Sequence, residues 1–307
     1  MLQTAFFSTQ TPLNVAVKDN NLSPYWVSGF CDGESSFIVS VRQTSRKSWQ
    51  VQAVFQIGLH VKDLPVLEKI QSFFKGAGKI HVYTSRKTAT YSVTKLKDLV
   101  NVIIPHFQQY NLVSAKVIDF QLWEKCIRLM EKKEHLNKSG LESILSIRSV
   151  LNWGLTDKLK LYFPDVIPGI RPEYSISNNP SDPNWISGFS DGESSFYIAS
   201  NANKVRVVFE IHLNERELPL VNKIQNYFGG VGKIRLNSNL QSVHYTVYDN
   251  YDLLNTIVPH FDKYKLEGYK LNNYLIWKEI LLLVNSKTNL TSQDLNKIDE
   301  LKKILNK

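Results

Sequence analysis

The chain has 307 residues, 43% of them hydrophobic and 11% aromatic, which excludes a disordered polymer and leaves room for two modest domains. Its 37 Lys and Arg outweigh 28 Asp and Glu, and the net charge of +9 suits a polyanionic partner such as nucleic acid. Two cysteines, Cys31 and Cys126, are too few for a disulfide framework and form no CxxC metal signature, and no apolar run approaches the ~20 residues that span a bilayer, so no membrane partner is expected.

Taken in chain order, residues 1–22 carry one basic residue, Lys18, and read as a leader rather than a transit or signal peptide. Ser23-Pro24 then pairs an N-cap side chain with proline at the first helical position, predicting a helix that runs to Glu34. Two alternating strands follow, the second being VQAVFQI, then a proline-started amphipathic helix with Leu67, Ile70, Phe73 and Phe74 on one side. Further strands begin at GKI (78–80) and TYSV (90–93), and helices are expected around 99–110, 114–132 and 140–151. A Pro-, Asn- and Ser-rich linker, 153–181, has one short helix near Asp157–Tyr162.

The same pattern then starts again at Asp182-Pro183. WVSGFCDGESSF (26–37) returns as WISGFSDGESSF (185–196), differing only at Val27/Ile186 and Cys31/Ser190. The offset of 159 residues becomes 154 from Phe55/Phe209 onward, so the five-residue difference falls in a hairpin tip within 40–54. GAGKI matches GVGKI, and IIPHFQQYNL matches IVPHFDKYKL. Domains of 23–152 and 182–307 follow. The fold class is α+β: two αββαββα repeats, each with an antiparallel sheet, related by a pseudo-twofold axis.

Gly29 and Gly188 sit inside otherwise bulky helices, where glycine costs ~1 kcal/mol against alanine. Small residues there let two backbones approach, and their presence in both copies favours the two opening helices packing on each other. Glu34 and Glu193 would then meet at the helix C-termini, where each opposes its helix dipole and repels the other. A divalent cation would relieve both conflicts and supply phosphodiester chemistry; equally, each Glu could merely end a helix before a strand. Asp32 and Asp191, two residues earlier, point elsewhere on the helix and are expected to make capping or interhelix contacts.

Both segments resemble the signature helices of single-chain LAGLIDADG homing endonucleases, with WVSGFCDGES and WISGFSDGES standing where the family has its namesake motif. The likeness covers almost the whole chain in motif, element order, spacing and duplication. It implies a saddle of two sheets on DNA, and metal held by the motif's second acid with help from the preceding carbonyl: Glu34 with Gly33, and Glu193 with Gly192. Mg²⁺ is the expected cofactor, with Mn²⁺ an alternative and Ca²⁺ able to occupy the site without turnover. Ser35 and Ser194 stand where the motif ends in glycine, which leaves the helix exit geometry open. Lys116 and Lys270, at matching positions after the IPHF and VPHF segments, are candidates to polarise a phosphate or order water, though a structural or anchoring role fits them as well. Lys95 is a further candidate on one side only, because copy two has Asp249 there.

A two-stranded ribbon fits the major groove, and strand alternation predicts which side chains face it. In copy one these are Ser36, Ile38, Ser40, Arg42 and Thr44; Gln52, Val54 and Gln56; Lys79, His81 and Tyr83; and Thr90, Ser92 and Thr94. In copy two they are Ser195, Tyr197, Ala199, Asn201 and Asn203; Arg206 and Glu210; Lys233, Arg235 and Asn237; and His244, Thr246 and Tyr248. Ile80, Val82, Ile234 and Leu236 are expected to face the core. The outward sets differ although the inward ones match, which fits a long, asymmetric, double-stranded DNA target.

The resemblance further implies a monomer that makes double-strand breaks, coding within an intron, and a fungal mitochondrial setting. The alternative is a LAGLIDADG-type maturase whose partner is group I intron RNA. A transcription regulator would have less reason to keep both acids. An intein is not expected, because the sequence has no nucleophile at its start and no His-Asn pair at its end.

Overall fold

Proline at the first helical turn starts the opening helix of each half, and the computed structural model shows both, describing residues 22–46, 48–174, 182–201 and 204–305. In half one, α1 (Pro24–Glu34) leads into β1 (Ser35–Gln43) and β2 (Trp49–His60), then α2 (Leu64–Phe73), β3 (Lys79–Tyr83) and β4 (Thr88–Val93). A short α3 (Leu96–Asp98), α4 (Ile104–Gln109), α5 (Lys116–Glu131) and α6 (Lys138–Arg148) close it, and α7 (Asp157–Tyr162) lies in the linker. Half two repeats this as α8 (Pro183–Glu193), β5 (Ser194–Asn201), β6 (Lys204–Asn214), α9 (Leu218–Tyr227), β7 (Lys233–Asn237) and β8 (Ser242–Val247). It ends with α10 (Asn250–Asp252), α11 (Val258–Lys263), α12 (Lys270–Asn285) and α13 (Ser292–Ile304).

Each half has a four-stranded antiparallel sheet, in the order β1-β2-β4-β3 and β5-β6-β8-β7. Phe37 pairs with Phe55 and Phe55 with Val93, so this row faces the helices. There Phe37 lies 5.1 Å from Trp123 and 5.5 Å from Phe107 between ring centroids. Phe196, Trp277 and Phe261 repeat the arrangement at 5.2 and 5.4 Å. Each such fully buried ring contributes roughly 1.5–3 kcal/mol, so the duplicated aromatics are the main reason the two halves share one fold.

Several expectations need correcting. The helix predicted at 99–110 has a π-helical stretch, Leu99–Ile103, before α4, and Leu253–Ile257 repeats it before α11. Pro105 and Pro259 cannot donate to the carbonyl four residues back and would clash with it, so the turn ahead of each widens. Ser23 makes no side-chain cap, whereas Asp182 accepts from Asn184 N at 2.8 Å. Val82 and Leu236 are 44% and 55% exposed rather than core-facing, because β3 and β7 are edge strands; Ile80 and Ile234 do pack on the core. Leu22, assigned to the leader, is buried in half one's core.

The β1–β2 turn runs from Gln43 to Trp49 and the β5–β6 turn from Asn201 to Lys204, which is where the length difference was expected. The linker helix falls at Asp157–Tyr162 as anticipated, and Tyr162 and Phe163 pack on Trp49.

Candidate active site

α1 and α8 cross at backbone contact. A Cβ on Gly29 would collide with the carbonyl oxygen of Trp185, and one on Gly188 with that of Trp26. Glycine is required at both positions because the neighbour is main chain and cannot yield. Around this contact the halves exchange hydrogen bonds. Trp185 Nε1 donates to Asp32 Oδ2 at 2.9 Å, and Trp26 Nε1 donates to Asp191 Oδ2 at 3.2 Å.

Those two aspartates also receive the loops that launch the long helices. Asp32 accepts from Val113 N (2.7 Å) and from Ser114 N and Oγ, and Asp191 accepts from Glu267 N (2.6 Å) and Gly268 N. Burial pushes both carboxyls up, Asp191 to about 7, while these donors oppose the shift. Capping and interhelix roles are what the sequence suggested for them.

A second reciprocal pair went unnoticed in the sequence. Glu217 accepts from Ala115 N across the seam, and Asp63, at the matching position, accepts from Tyr269 N at 2.9 Å. Their shared 154-residue offset was the available signal.

Glu34 and Glu193 are the last residues of α1 and α8. The helix exits need no glycine: Ser35 and Ser194 adopt extended φ of −86° and −90°, and their hydroxyls donate to Cys31 O and Ser190 O at 2.6 and 2.7 Å. Each carboxylate leans over the other half. A Cβ built on Gly33 would lie 3.4 Å from Glu193 Oε1, and one on Gly192 3.6 Å from Glu34 Oε1. Burial raises the Glu34 pKa, the Glu193 charge raises it further, and Lys270 and Lys116 pull it down. Burial likewise raises Glu193, opposed by Lys116, Lys270 and His212. Among the described residues neither carboxylate accepts a hydrogen bond, so only the nearby charges of Lys116 and Lys270, with His212 at Glu193, offset their burial.

Lys116 Nζ donates to Gly33 O (2.7 Å) and Cys31 O (3.1 Å), and Lys270 Nζ to Gly192 O (2.9 Å) and Ser190 O (3.0 Å). Each lysine thus caps the C-terminal end of its own half's acidic helix, complementing the helix dipole there. Burial lowers both lysine pKa values, and neighbouring acids oppose the shift, Asp32 first at Lys116 and Asp191 first at Lys270. The two glycine carbonyls expected to help hold metal are therefore already engaged, each with a lone pair remaining. The donor set of two carboxylates that accept no hydrogen bond among the described residues and two main-chain oxygens fits a hard divalent cation. Lys95, by contrast, is an exposed residue at the start of α3 and is not among the charges acting on Glu34.

The outward sets lie on one face of each sheet. Ser36, Gln56, Ser92 and Lys79 form a cross-strand row, as do Ser195, Glu210, Thr246 and Lys233. Ile38 pairs with Val54, Ser40 with Gln52, and His81 with Thr90; Tyr83 lies opposite Thr88. Arg42 Nε donates to Gln50 Oε1 at 3.3 Å, and Thr44 is tied to Ser48 in the turn. In half two Tyr197 pairs with Val208, Ala199 with Arg206, and Arg235 with His244. Asn237 ends β7, Asn201 ends β5, and Asn203 lies outside the described residues. Arg206 and Lys233 lie over the Tyr248 ring at 4.9 and 5.6 Å. Continuing the alternation would have added Gly58 and His60 in half one, and His212 and Asn214 in half two.

The geometry has counterparts among known proteins. The LAGLIDADG endonuclease family matches residues 27–127 and 186–281. A Neurospora crassa protein named "Probable intron-encoded endonuclease 2" is 37% identical over 295 residues, covering 92% of this chain, which in turn spans 65% of that relative's own length. A Podospora anserina protein named for ND4 intron 1 is 37% identical over 123 residues, covering 39% of this chain and 27% of its own length. The crystal structure of the I-SmaMI LAGLIDADG homing endonuclease bound to cleaved DNA is 35% identical with a TM-score of 0.88, covering 93% of this chain and 97% of its own. I-SmaMI bound to an uncleaved DNA target in the presence of calcium ions matches at 36% identity with the same TM-score, covering 94% of this chain and all of its own. With its signature helices, sheets and duplication all matched over both halves, the chain belongs to the LAGLIDADG endonuclease family.

Proposed function

We propose that the chain is a site-specific DNA endonuclease that cuts both strands of a long, asymmetric target with the help of a divalent cation, Mg²⁺ foremost. The observation that carries this reading is the half-buried acid pair, Glu34 and Glu193, held without hydrogen-bond donors among the described residues at a backbone-to-backbone seam between two unlike polar sheets. The similarity to proteins named as endonucleases and to nuclease–DNA complexes supports it.

Each sheet would lie along one half-site, with its outward residues against base edges and phosphates. The seam would then sit over the duplex between the half-sites, presenting one carboxylate to each strand. A cation held there would supply Lewis-acid activation of water and of the scissile phosphate. Glu34 and Glu193 would hold it, with the Gly33 and Gly192 carbonyls as further oxygens. Lys116 and Lys270 fix those carbonyls and keep positive charge close to where the phosphate arrives. One chain contains both halves, which supports action as a monomer. A relative named for an ND4 intron supports an organellar, intron-encoded setting in the mitochondrion.

The deciding experiment incubates purified chain with a random DNA pool in Mg²⁺ and recovers cleaved sites. Glu34→Gln and Glu193→Gln should each lower double-strand cutting on the order of 10³-fold or more, with affinity in Ca²⁺ kept within a few fold. Wild-type cutting by either variant would refute the acids' role. Absence of cutting together with promoted splicing of an intron RNA would instead establish the maturase reading.

A further inference from the structure

The seam is nearly symmetric, but the sheet edge beside it is not. Ser194 pairs with Ile211 at the start of β5, so His212, the next residue of β6, lies just past the ladder on the side of the α8 end that carries Glu193. In half one Ser35 pairs with Ile57, and the residue at the matching place just past the ladder is Gly58. His212 and Glu193 line one cleft of about 450 Å³, together with Gly33, Lys116, Arg216 and Gln241.

His212 does not stand alone. Its ring stacks on that of His244, with centroids 4.0 Å apart and planes within 11°. His244 is itself fixed at both nitrogens, Nδ1 lying 2.6 Å from Glu210 Oε1 and Nε2 3.3 Å from Ser242 Oγ. Tyr197 holds the other oxygen of Glu210 at 2.8 Å. His244 is thus a braced platform beneath an exposed imidazole whose own nitrogens make no hydrogen bond among the described residues. The matching positions in half one are Gln56, Gly58 and Thr90, which can build no such platform.

Stacking two imidazoles while bracing only the lower one holds the upper ring in a fixed orientation with its nitrogens turned to solvent, where a ligand can displace water from them. On the endonuclease reading, the ligand that would reach a cleft shared with Glu193 on the outward side of β6 is the phosphate backbone near the cut. His212 is among the groups acting on the Glu193 carboxyl, which fits the proximity.

We infer that His212, braced by His244 and Glu210, donates a ring N–H to a non-bridging oxygen of the phosphate cut at the Glu193 side, and that the two strands are consequently cut at unequal rates. The inference rests on the endonuclease reading. The reaction at that phosphate is ordinary hydrolysis: water's oxygen bonds to phosphorus, the bond from phosphorus to the leaving ester oxygen breaks, and that oxygen takes up a proton. His212 neither gains nor loses a proton overall.

The test uses the full chain and a duplex from the cleavage selection, with the two strands labelled differently and single-turnover rates read in Mg²⁺. His212→Gly, which copies half one, should slow one strand on the order of tenfold or more and leave the other within about twofold. His212→Asn, which keeps an N–H donor, should recover part of the lost rate. Melting temperature and affinity in Ca²⁺ should stay close to wild type, which a merely structural role would not predict alongside a one-strand loss. A reciprocal variant combining Gln56→Glu, Gly58→His and Thr90→His should speed the slower strand. The room exists, since a Cβ on Gly58 meets nothing closer than Thr90 Oγ1 at 3.8 Å. Equal slowing of both strands, or of neither, by His212→Gly overturns the inference while leaving the endonuclease intact. Failure of the wild-type chain to cut any selected duplex overturns both.

Discussion

The two halves agree closely in the aromatic core and differ most on the open face of the sheet. Phe37, Phe55, Phe107 and Trp123 recur as Phe196, Phe209, Phe261 and Trp277 with ring separations that differ by a few tenths of an ångström. Yet Gln52, Gln56, Gly58, Thr90 and Thr94 face Arg206, Glu210, His212, His244 and Tyr248 at the corresponding outward positions. A packed interior penalises each change of volume by kilocalories, whereas a solvated strand face tolerates substitution. What was duplicated is a scaffold, and what diverged is its outward polar surface.

The harshest test of this equivalence is at the helix crossing. Gly29→Ala and Gly188→Ala should each cost about 3 kcal/mol or more, lowering the melting temperature by roughly 5–10 °C. Calorimetry on both should give nearly equal losses. A large difference would mean that the crossing is not shared evenly between the halves.

A subtler asymmetry lies beneath. Ser28 Oγ donates to Tyr110 O at 2.7 Å, so His106 Nε2, 3.1 Å away, must be the donor in that contact; Ser187, Tyr264 and His260 repeat the motif. Among the described residues only His260 has a further hydrogen-bond partner at Nδ1, Tyr227 OH at 3.0 Å, because half one has Phe73 there. Burial holds His106 down to about 3 and His260 to about 4. Both sit below the unfolded value of about 6.5, so the unfolded chain binds more protons between these limits. Stability should therefore be full above about pH 6.5 and fall as pH drops toward 4. Melting curves across this window should show a shallower acid slope for His106→Gln than for wild type, and an unchanged slope would remove His106 from the account.

The smallest effect concerns an ion pair that only one half can make. Lys69 meets Glu267 across the seam at 2.6 Å, and the residue matching Glu267 in half one is Val113. The partners are about a third exposed, so Lys69→Met should cost only about 0.2–1 kcal/mol, vanishing at high salt. A loss well beyond that range in urea titration would make this contact a principal clamp.

Much of this was legible in the chain because duplication acts as an internal control. One glycine inside a helix is ambiguous, but Gly29 and Gly188 at equivalent positions announce a helix–helix contact. Strand alternation likewise placed most of the polar face, since a period of two leaves little freedom. What stayed hidden depends on distance across the seam. Nothing near Lys116 in sequence reveals that it caps Gly33, 83 residues away. Glu217, 102 residues from Ala115, gives no sign in sequence of the contact it makes there. The platform under His212 escaped because it needs three strands in register, and the alternation was followed only as far as Glu210.

The crossing of α1 and α8 has a further consequence. Its closest approach is set by peptide groups touching peptide groups, so no side chain serves there as an adjustable shim. Residues on the two sheets are free to be exchanged for new targets, but the gap between the acids is not. On the endonuclease reading, descendants of this chain would recognise many different sequences and still cut them with one unvarying stagger.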